Sequence, residues 1–247
     1  MYNPFSLAGR TILVTGASSG IGRAIAVECA KMGATLIVTG RDAGRLSGTF
    51  DSLEGTGHWQ VIADLFRQNE LESLVGDLPV LDGLVLCAGI TKSVPIQFAT
   101  REKFDAIFGV NFFSQVELLR LLSRKKKLKS GSSVVAISSI GGLHSFNYGN
   151  SVYGSSKAAL ASFMRYCANE FAGRGIRVNS ICPGMIETPM RASTPYTSEQ
   201  LELYRQSILL RRFGRPEEVA FGAVYLLSEA ASYVTGTNLY IDGGGER

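Results

Sequence analysis

Residues 11–25 read Thr-Ile-Leu-Val-Thr-Gly-Ala-Ser-Ser-Gly-Ile-Gly-Arg-Ala-Ile. The run Thr11 to Thr15 is short and apolar on both of its faces. A strand of that kind is buried on both sides, as in a parallel sheet. From Ile21 to Met32 the apolar residues recur at helical spacing. The turn between strand and helix is rich in glycine, and each glycine has its own reason. Gly16 allows a tight turn, Gly20 lets the backbone approach a pyrophosphate, and Gly22 lets the helix pack closely on the strand. Ser18, Ser19 and Ile21 complete the turn, and the helix that follows presents free N–H groups and a positive dipole end to phosphate. The spacing G-x-x-x-G-x-G departs from the commoner G-x-G-x-x-G, yet the strand before it and the helix after it are the context nucleotide binding requires.

The same alternation runs to the end of the chain. Apolar strands are expected at Thr35 to Thr39, Trp59 to Ala63, Leu84 to Cys87, Ser133 to Ser138, Ile176 to Cys182 and Leu239 to Ile241. Helices are expected near Asp42, over Gln68 to Val75, in one long run from Arg101 to Leu122, from Tyr153 to about Ala172, and over Glu217 to Ser228 after Pro216. Strands apolar throughout and separated by helices predict an α/β, doubly wound Rossmann fold. Its seven-stranded, mostly parallel sheet should carry helices on both faces, with right-handed crossovers. No linker, repeat or low-complexity tract interrupts residues 1–247, so one NAD(P)-binding domain is expected. Met185 to Glu199, with two prolines, reads as a long irregular binding loop.

Composition narrows the class. With 247 residues, 45% hydrophobic and 19% charged, the chain is globular and not disordered. A net charge of +4 is mild. The one basic run, Arg124 to Lys127 with Lys129, lacks the aromatic or arginine-rich stripe of a nucleic-acid surface. Cys29, Cys87, Cys167 and Cys182 have no metal-ligand spacing and read as free thiols of a reducing compartment, with no metal site expected. No stretch has the roughly 18 apolar residues of a membrane span, and the N-terminus has no signal-peptide pattern. A cytoplasmic protein is expected.

Two further places carry chemistry. The second strand ends Gly40-Arg41-Asp42, where a carboxylate at the strand end would hold the ribose 2′-OH of NAD. Glycine stands at that place and a guanidinium follows, which suits a 2′-phosphate, so NADP(H) is favoured and NAD(H) remains possible. Asp42 can either cap the next helix or reach the ribose. Tyr153 and Lys157 lie four apart on one helix face. A phenol with a pKa near 10 is a poor acid–base catalyst at neutral pH, and a neighbouring ammonium pulls it toward working pH.

Together these segments resemble the short-chain dehydrogenase/reductase family, in the compact branch that includes 3-oxoacyl-carrier-protein reductases. The resemblance spans nearly the whole chain. It rests on Thr15 to Gly22, Asp64-Leu65, Val110-Asn111, Ser138-Ser139, Tyr153-x-x-x-Lys157, Pro183-Gly184-x-Ile186-x-Thr188, Arg212 to Ala220, and Tyr233 to Gly236 with Asp242-Gly243-Gly244. It implies an oxidoreductase interconverting a ketone and a secondary alcohol by hydride transfer. Tyr153 would be the acid or base. Lys157 would lower its pKa and hold the nicotinamide ribose. Ser139 would orient the substrate oxygen, and Asn111 would hold a water that feeds protons to Lys157. Ser138 competes with Ser139, but Ser139 stands 14 residues before Tyr153, nearer the family's spacing. Asp64 and Leu65 would contact the adenine, and Pro183, Gly184, Ile186 and Thr188 would embrace the nicotinamide. Cys87-Ala88-Gly89 replaces the family's Asn-Ala-Gly, which exchanges a good hydrogen-bonding side chain for a weak one. No basic partner for Cys87 is evident, so it is not read as a nucleophile. The resemblance also implies a homotetramer, or a homodimer, built on the Phe104 to Leu122 and Tyr153 helices.

The pocket walls are expected in loops 90–98, 140–152 and 185–200. His144, Phe146, Tyr148 and Met185 are the candidate substrate residues, and a mainly apolar or neutral carbonyl or alcohol is the expected substrate. A 3-oxoacyl thioester, a sugar-derived alcohol and a sterol-like alcohol all remain open. The rival reading is a non-catalytic NADP-binding sensor.

Overall fold

The computed structural model describes residues 2–192 and 196–245. Seven strands form one sheet in the order β3-β2-β1-β4-β5-β6-β7. They are β1 (Thr11–Thr15), β2 (Thr35–Gly40), β3 (Trp59–Ile62), β4 (Leu81–Leu86), β5 (Leu128–Ile137), β6 (Arg177–Pro183) and β7 (Asn238–Ile241). Every pairing is parallel, so the sheet is wholly parallel. The order reverses between β1 and β4, and in such sheets ligands bind at that switch, beyond the carboxyl ends of the strands.

The two faces separate by strand alternation. Ile12, Val14, Leu36, Val38 and Val85 point into one core with α1 (Gly20–Lys31), α2 (Ala43–Phe50) and α9 (Pro216–Leu227). Leu13, Ile37, Leu84, Leu86 and Val134 point into the other, against α3 (Gln68–Asp77), α5 (Ser114–Arg124) and α6 (Ser151–Phe171). Both faces are therefore dry, which is why the strands read as unbroken apolar runs.

Two elements differ from the sequence expectation. The single helix expected over Arg101 to Leu122 is α4 (Arg101–Phe108), a π-helical turn (Gly109–Phe113) and α5. A Cβ on Gly109 would come 2.3 Å from Phe66 Cε2, so only glycine lets that ring in. Two residues on, Asn111 is tied to the Ile90 backbone. Two tethers in one turn fit the wider π geometry, which recurs at functional sites. The span Met185 to Glu199 is also less irregular than expected. It holds α7 (Pro189–Ala192) and runs into α8 (Ser198–Ser207). The sequence signal for α8 is the capping box of Thr197 with Gln200, while a helix with no buried residue shows no apolar period.

Candidate active site

The glycine turn is built as its residue types require. Gly16 has φ +65°, and a Cβ there would lie 2.7 Å from Ala88 Cα. A Cβ on Gly22 would lie 2.3 Å from the Gly16 carbonyl oxygen. Gly20 faces Thr188, whose Cγ2 would be 3.3 Å from an added Cβ. A cleft of about 600 Å³ opens over this turn. It is lined by Gly16, Ser18, Ser19, Gly20, Ile21 and Gly22 from the turn, and by Arg41, Asp64 and Leu65 beside them. Cys87, Ala88, Gly89, Pro183, Gly184, Ile186 and Thr188 line its far side, with Ser139, Tyr153 and Lys157 between. The sequence-predicted cofactor residues therefore meet in one cleft.

At the adenosine end, Asp42 caps α2. Its carboxylate accepts from Arg45 N at 2.9 Å and from Arg45 Nε at 2.7 Å, which hold it below the usual carboxylate range. The choice between cap and ribose ligand falls to the cap. Arg41 has no ion pair among the described residues and lines the cleft, as does Arg45. A Cβ on Gly40 would crowd Ser18 at 3.3 Å, so a carboxylate side chain has little room there.

After β4, Thr15 replaces what a side chain at position 87 cannot do. Its Oγ1 accepts from Cys87 N at 2.9 Å and from Ala88 N at 3.1 Å, and donates to the Val85 carbonyl at 3.2 Å. Gln115 Nε2 donates to the Ala88 carbonyl. The turn is thus braced from the backbone. Cys87 does have a basic neighbour, Lys157, which the sequence did not reveal. Burial outweighs that charge and pushes the thiol up to about 11, so it stays protonated.

The catalytic candidates converge from β5 and α6. Just past the end of β5 both serines line the cleft, but their hydroxyls meet different partners. Ser138 is buried and its Oγ donates to the Lys157 carbonyl at 2.8 Å. Ser139 Oγ accepts from Gly141 N at 3.0 Å and shares a hydrogen bond with the Tyr153 phenol. Lys157, 4% exposed, donates from Nζ to the Ile137 carbonyl at 2.8 Å. Burial lowers its pKa to about 8. The Tyr153 phenol is pushed up by burial, with the Ser139 hydrogen bond opposing, while the Lys157 ammonium donates to the strand carbonyl. Asn111, fully buried, is a brace. Its Oδ1 accepts from Ile90 N at 2.8 Å, and its Nδ2 donates to the Ile90 carbonyl and to Ser156 Oγ, both at 3.0 Å. Gly89 sits between Asn111 Oδ1 and Lys157 Nζ, each 3.3 Å from where a Cβ would stand.

The substrate candidates divide. Tyr148 and Met185 line the cleft. His144 does not. It packs tilted against Tyr240 with centroids 4.5 Å apart. Phe146 is 78% exposed and also lies outside the lining. Lone loop residues carry no periodicity, so nothing in the sequence shows which way they turn. Gln115, Ser156, Asn150 and Tyr204 line the site or brace it and were not singled out from the sequence. Gln115 and Ser156 act through partners remote in the chain, so spacing could not find them.

Known proteins match this arrangement along its length. The family model described as enoyl-(acyl carrier protein) reductase matches residues 16–246. The 3-oxoacyl-(acyl-carrier-protein) reductase of Rickettsia bellii is 34% identical over 238 residues, covering 96% of this chain and 97% of that protein. The rhamnolipids biosynthesis 3-oxoacyl-(acyl-carrier-protein) reductase of Pseudomonas aeruginosa is 36% identical, covering 99% of each. Among solved structures, a 7α-hydroxysteroid dehydrogenase complexed with NADH and 7-oxoglycochenodeoxycholic acid superposes with a TM-score of 0.90 at 30% identity, covering 100% of this chain and 98% of that one. A protein named as an NAD(P)-dependent gluconate 5-dehydrogenase, from Beutenbergia cavernae and with bound NADP, gives 0.88 at 33%, covering 98% of each.

Proposed function

The chain belongs to the short-chain dehydrogenase/reductase family and is an oxidoreductase, and from that premise we propose that it reduces a 3-oxoacyl thioester or a comparable ketone with NADPH. The observation that carries this reading is the meeting of Ser139, Tyr153 and Lys157 in the cleft that the glycine turn opens. The residues present fit a dinucleotide phosphate. The glycine cradle leaves no space for Cβ atoms, Arg41 is unpaired among the described residues, and Asp42 is spent on its cap. Gly16 to Gly22 would hold the pyrophosphate, Arg41 the 2′-phosphate, and Pro183 to Thr188 the nicotinamide side. The nicotinamide, when bound, supplies the hydride.

The chain's own residues do the rest. Ser139 Oγ orients the carbonyl oxygen by donating to it. Tyr153 Oη gives the proton to that oxygen. Lys157 Nζ, eased toward neutrality by burial, takes part in restoring it. Asn111 keeps the Ile90 turn and α6 at fixed spacing. For the reverse reaction the same atoms serve with the proton moving the other way. No feature of the site favours a sensor without turnover, since binding alone does not need Ser139 beside Tyr153.

Two coarser expectations enter the same proposal. No helix among the described residues is long and apolar enough to cross a membrane, and we take the enzyme to be cytoplasmic on its full-length similarity to 3-oxoacyl-(acyl-carrier-protein) reductases. Phe113 and Tyr166 are 58% and 69% exposed on the π turn and α6, which supports association of copies through those helices. The decisive test follows NADPH and NADH absorbance over β-keto thioester, diketone, keto-sugar and sterol-ketone substrates, with Tyr153→Phe as control. NADPH-selective turnover that falls about 10²-fold or more in Tyr153→Phe, with NADPH binding kept, supports the reading. Unchanged turnover in that variant would sink the mechanism.

A further inference from the structure

The charges along the cleft are unevenly shared. Its adenosine end holds Arg41, Asp42, Arg45 and Asp64. Its catalytic centre holds Lys157, bonded to the Ile137 carbonyl. The other described lining residues, from Ile90 to Asn150 and from Met185 to Tyr204, are neutral except Arg191. That part of the lining has one cation and no acid among the described residues.

Arg191 stands on α7. Its backbone N donates to Thr188 Oγ1 at 3.3 Å, which ties it to the segment over the glycine turn. Its guanidinium lies over the buried ring of Phe213, 5.6 Å from the centroid. Arg205 lies over the same ring at 5.2 Å, but Arg205 is ion-paired with Glu202. Arg191 makes no ion pair among the described residues, and its Nε is buried without a hydrogen-bond partner. A buried donor left unpaired costs about 1–3 kcal/mol, and more when it belongs to a charged group. Stacking on a ring uses the guanidinium's face and leaves its in-plane N–H fork free, and that fork matches a carboxylate or phosphate.

We propose that Arg191 recognises an anionic group of the substrate, so that the ketone or alcohol taken by this enzyme carries a carboxylate. This rests on the oxidoreductase reading above, and it replaces the expectation of a neutral substrate. The same chemistry exists in the cofactor's phosphates. Those already have the N–H groups of the glycine turn, Arg41 and Arg45 to meet them, so the remaining cation is assigned to the substrate.

The test uses the enzyme saturated with NADPH. Straight-chain carboxylates from butyrate to decanoate are titrated calorimetrically, each paired with its neutral amide. Wild type should bind at least one carboxylate more tightly than its amide. Arg191→Met should lose that preference by about tenfold or more, the size expected for hydrogen bonds to a charged group, and Arg191→Lys should restore part of it. The affinity of either variant for NADPH should stay as in wild type. No preference for any carboxylate, or a preference unchanged in Arg191→Met, overturns the proposal. A fall in NADPH affinity with the preference intact also overturns it, by assigning the cation to the cofactor. The readout needs no turnover, so in Tyr153→Phe the carboxylate preference is measured even if the catalytic reading fails.

Discussion

In the proposed function, Arg41 is the residue on which cofactor choice turns. Its neighbour Asp42 is consumed by the α2 cap and by Arg45, so the corner offers a cation and no free carboxylate. Arg41→Ala should therefore weaken NADPH by about tenfold while leaving NADH within twofold, as read by fluorescence titration, because an exposed charge-assisted contact contributes modestly. Equal losses for both cofactors would remove Arg41 from the 2′-phosphate. Cys87 shows the opposite kind of residue. It departs from the family's asparagine, yet the hydroxyl of Thr15 holds the backbone on which the turn depends. Arg191 is invisible to motif reading, since only its unmet charge in a neutral wall distinguishes it.

At the scale of elements, the meeting of α1 with the glycine turn is a tight joint. The atom facing Gly22 is a backbone carbonyl oxygen, which cannot turn aside. Gly22→Ala should destabilise the protein by about 1–3 kcal/mol and weaken NADPH as α1 shifts from the phosphates. Gly48, inside α2, has no atom within 4 Å of an added Cβ and no positive φ. Gly48→Ala should raise stability by about 0.5–1 kcal/mol through helix propensity alone. Urea midpoints of both variants check this, and equal effects would mean that packing at Gly22 is looser than described. The π turn is the other decisive joint. Apolar spacing through Arg101 to Leu122 gave no sign of it, because a π turn inserts its extra residue without breaking the helix.

For the whole molecule, the four thiols set an alkaline limit. Burial raises Cys29 strongly, Cys167 and Cys182 to about 12, and Cys87 to about 11, all from 9.0. Folded-state values above the unfolded one mean that the contribution is complete below pH 9 and is lost as pH rises past it. Each thiol then adds a loss of about 1.4 kcal/mol per pH unit. Lys157, lowered to about 8 from 10.5, works the other way between those values, but as a single group. Stability from urea midpoints should fall steeply from pH 9 to 10.5, and Cys29→Ala should flatten the fall. A flat profile in wild type would contradict the burial of these thiols.

The sequence alone determined the fold class, because alternating apolar strands and helices admit only a doubly covered parallel sheet. The glycine turn and the Tyr153–Lys157 pair were likewise legible, since their geometry depends on spacing across one turn or along one helix, while Ser139 was legible only through the family resemblance. Tertiary structure decided what depends on partners distant in the chain. It turned Asp42 into a cap, tied Asn111 to Ile90 and Ser156, and packed His144 against Tyr240. It also set Lys157 on a strand carbonyl, and left Arg191 in the cleft with no ion pair among the described residues. The physical reason is common to all of these. A hydrogen bond, a ring contact or a desolvated charge is a property of what surrounds a side chain, and that is assembled only when the sheet and its helices close.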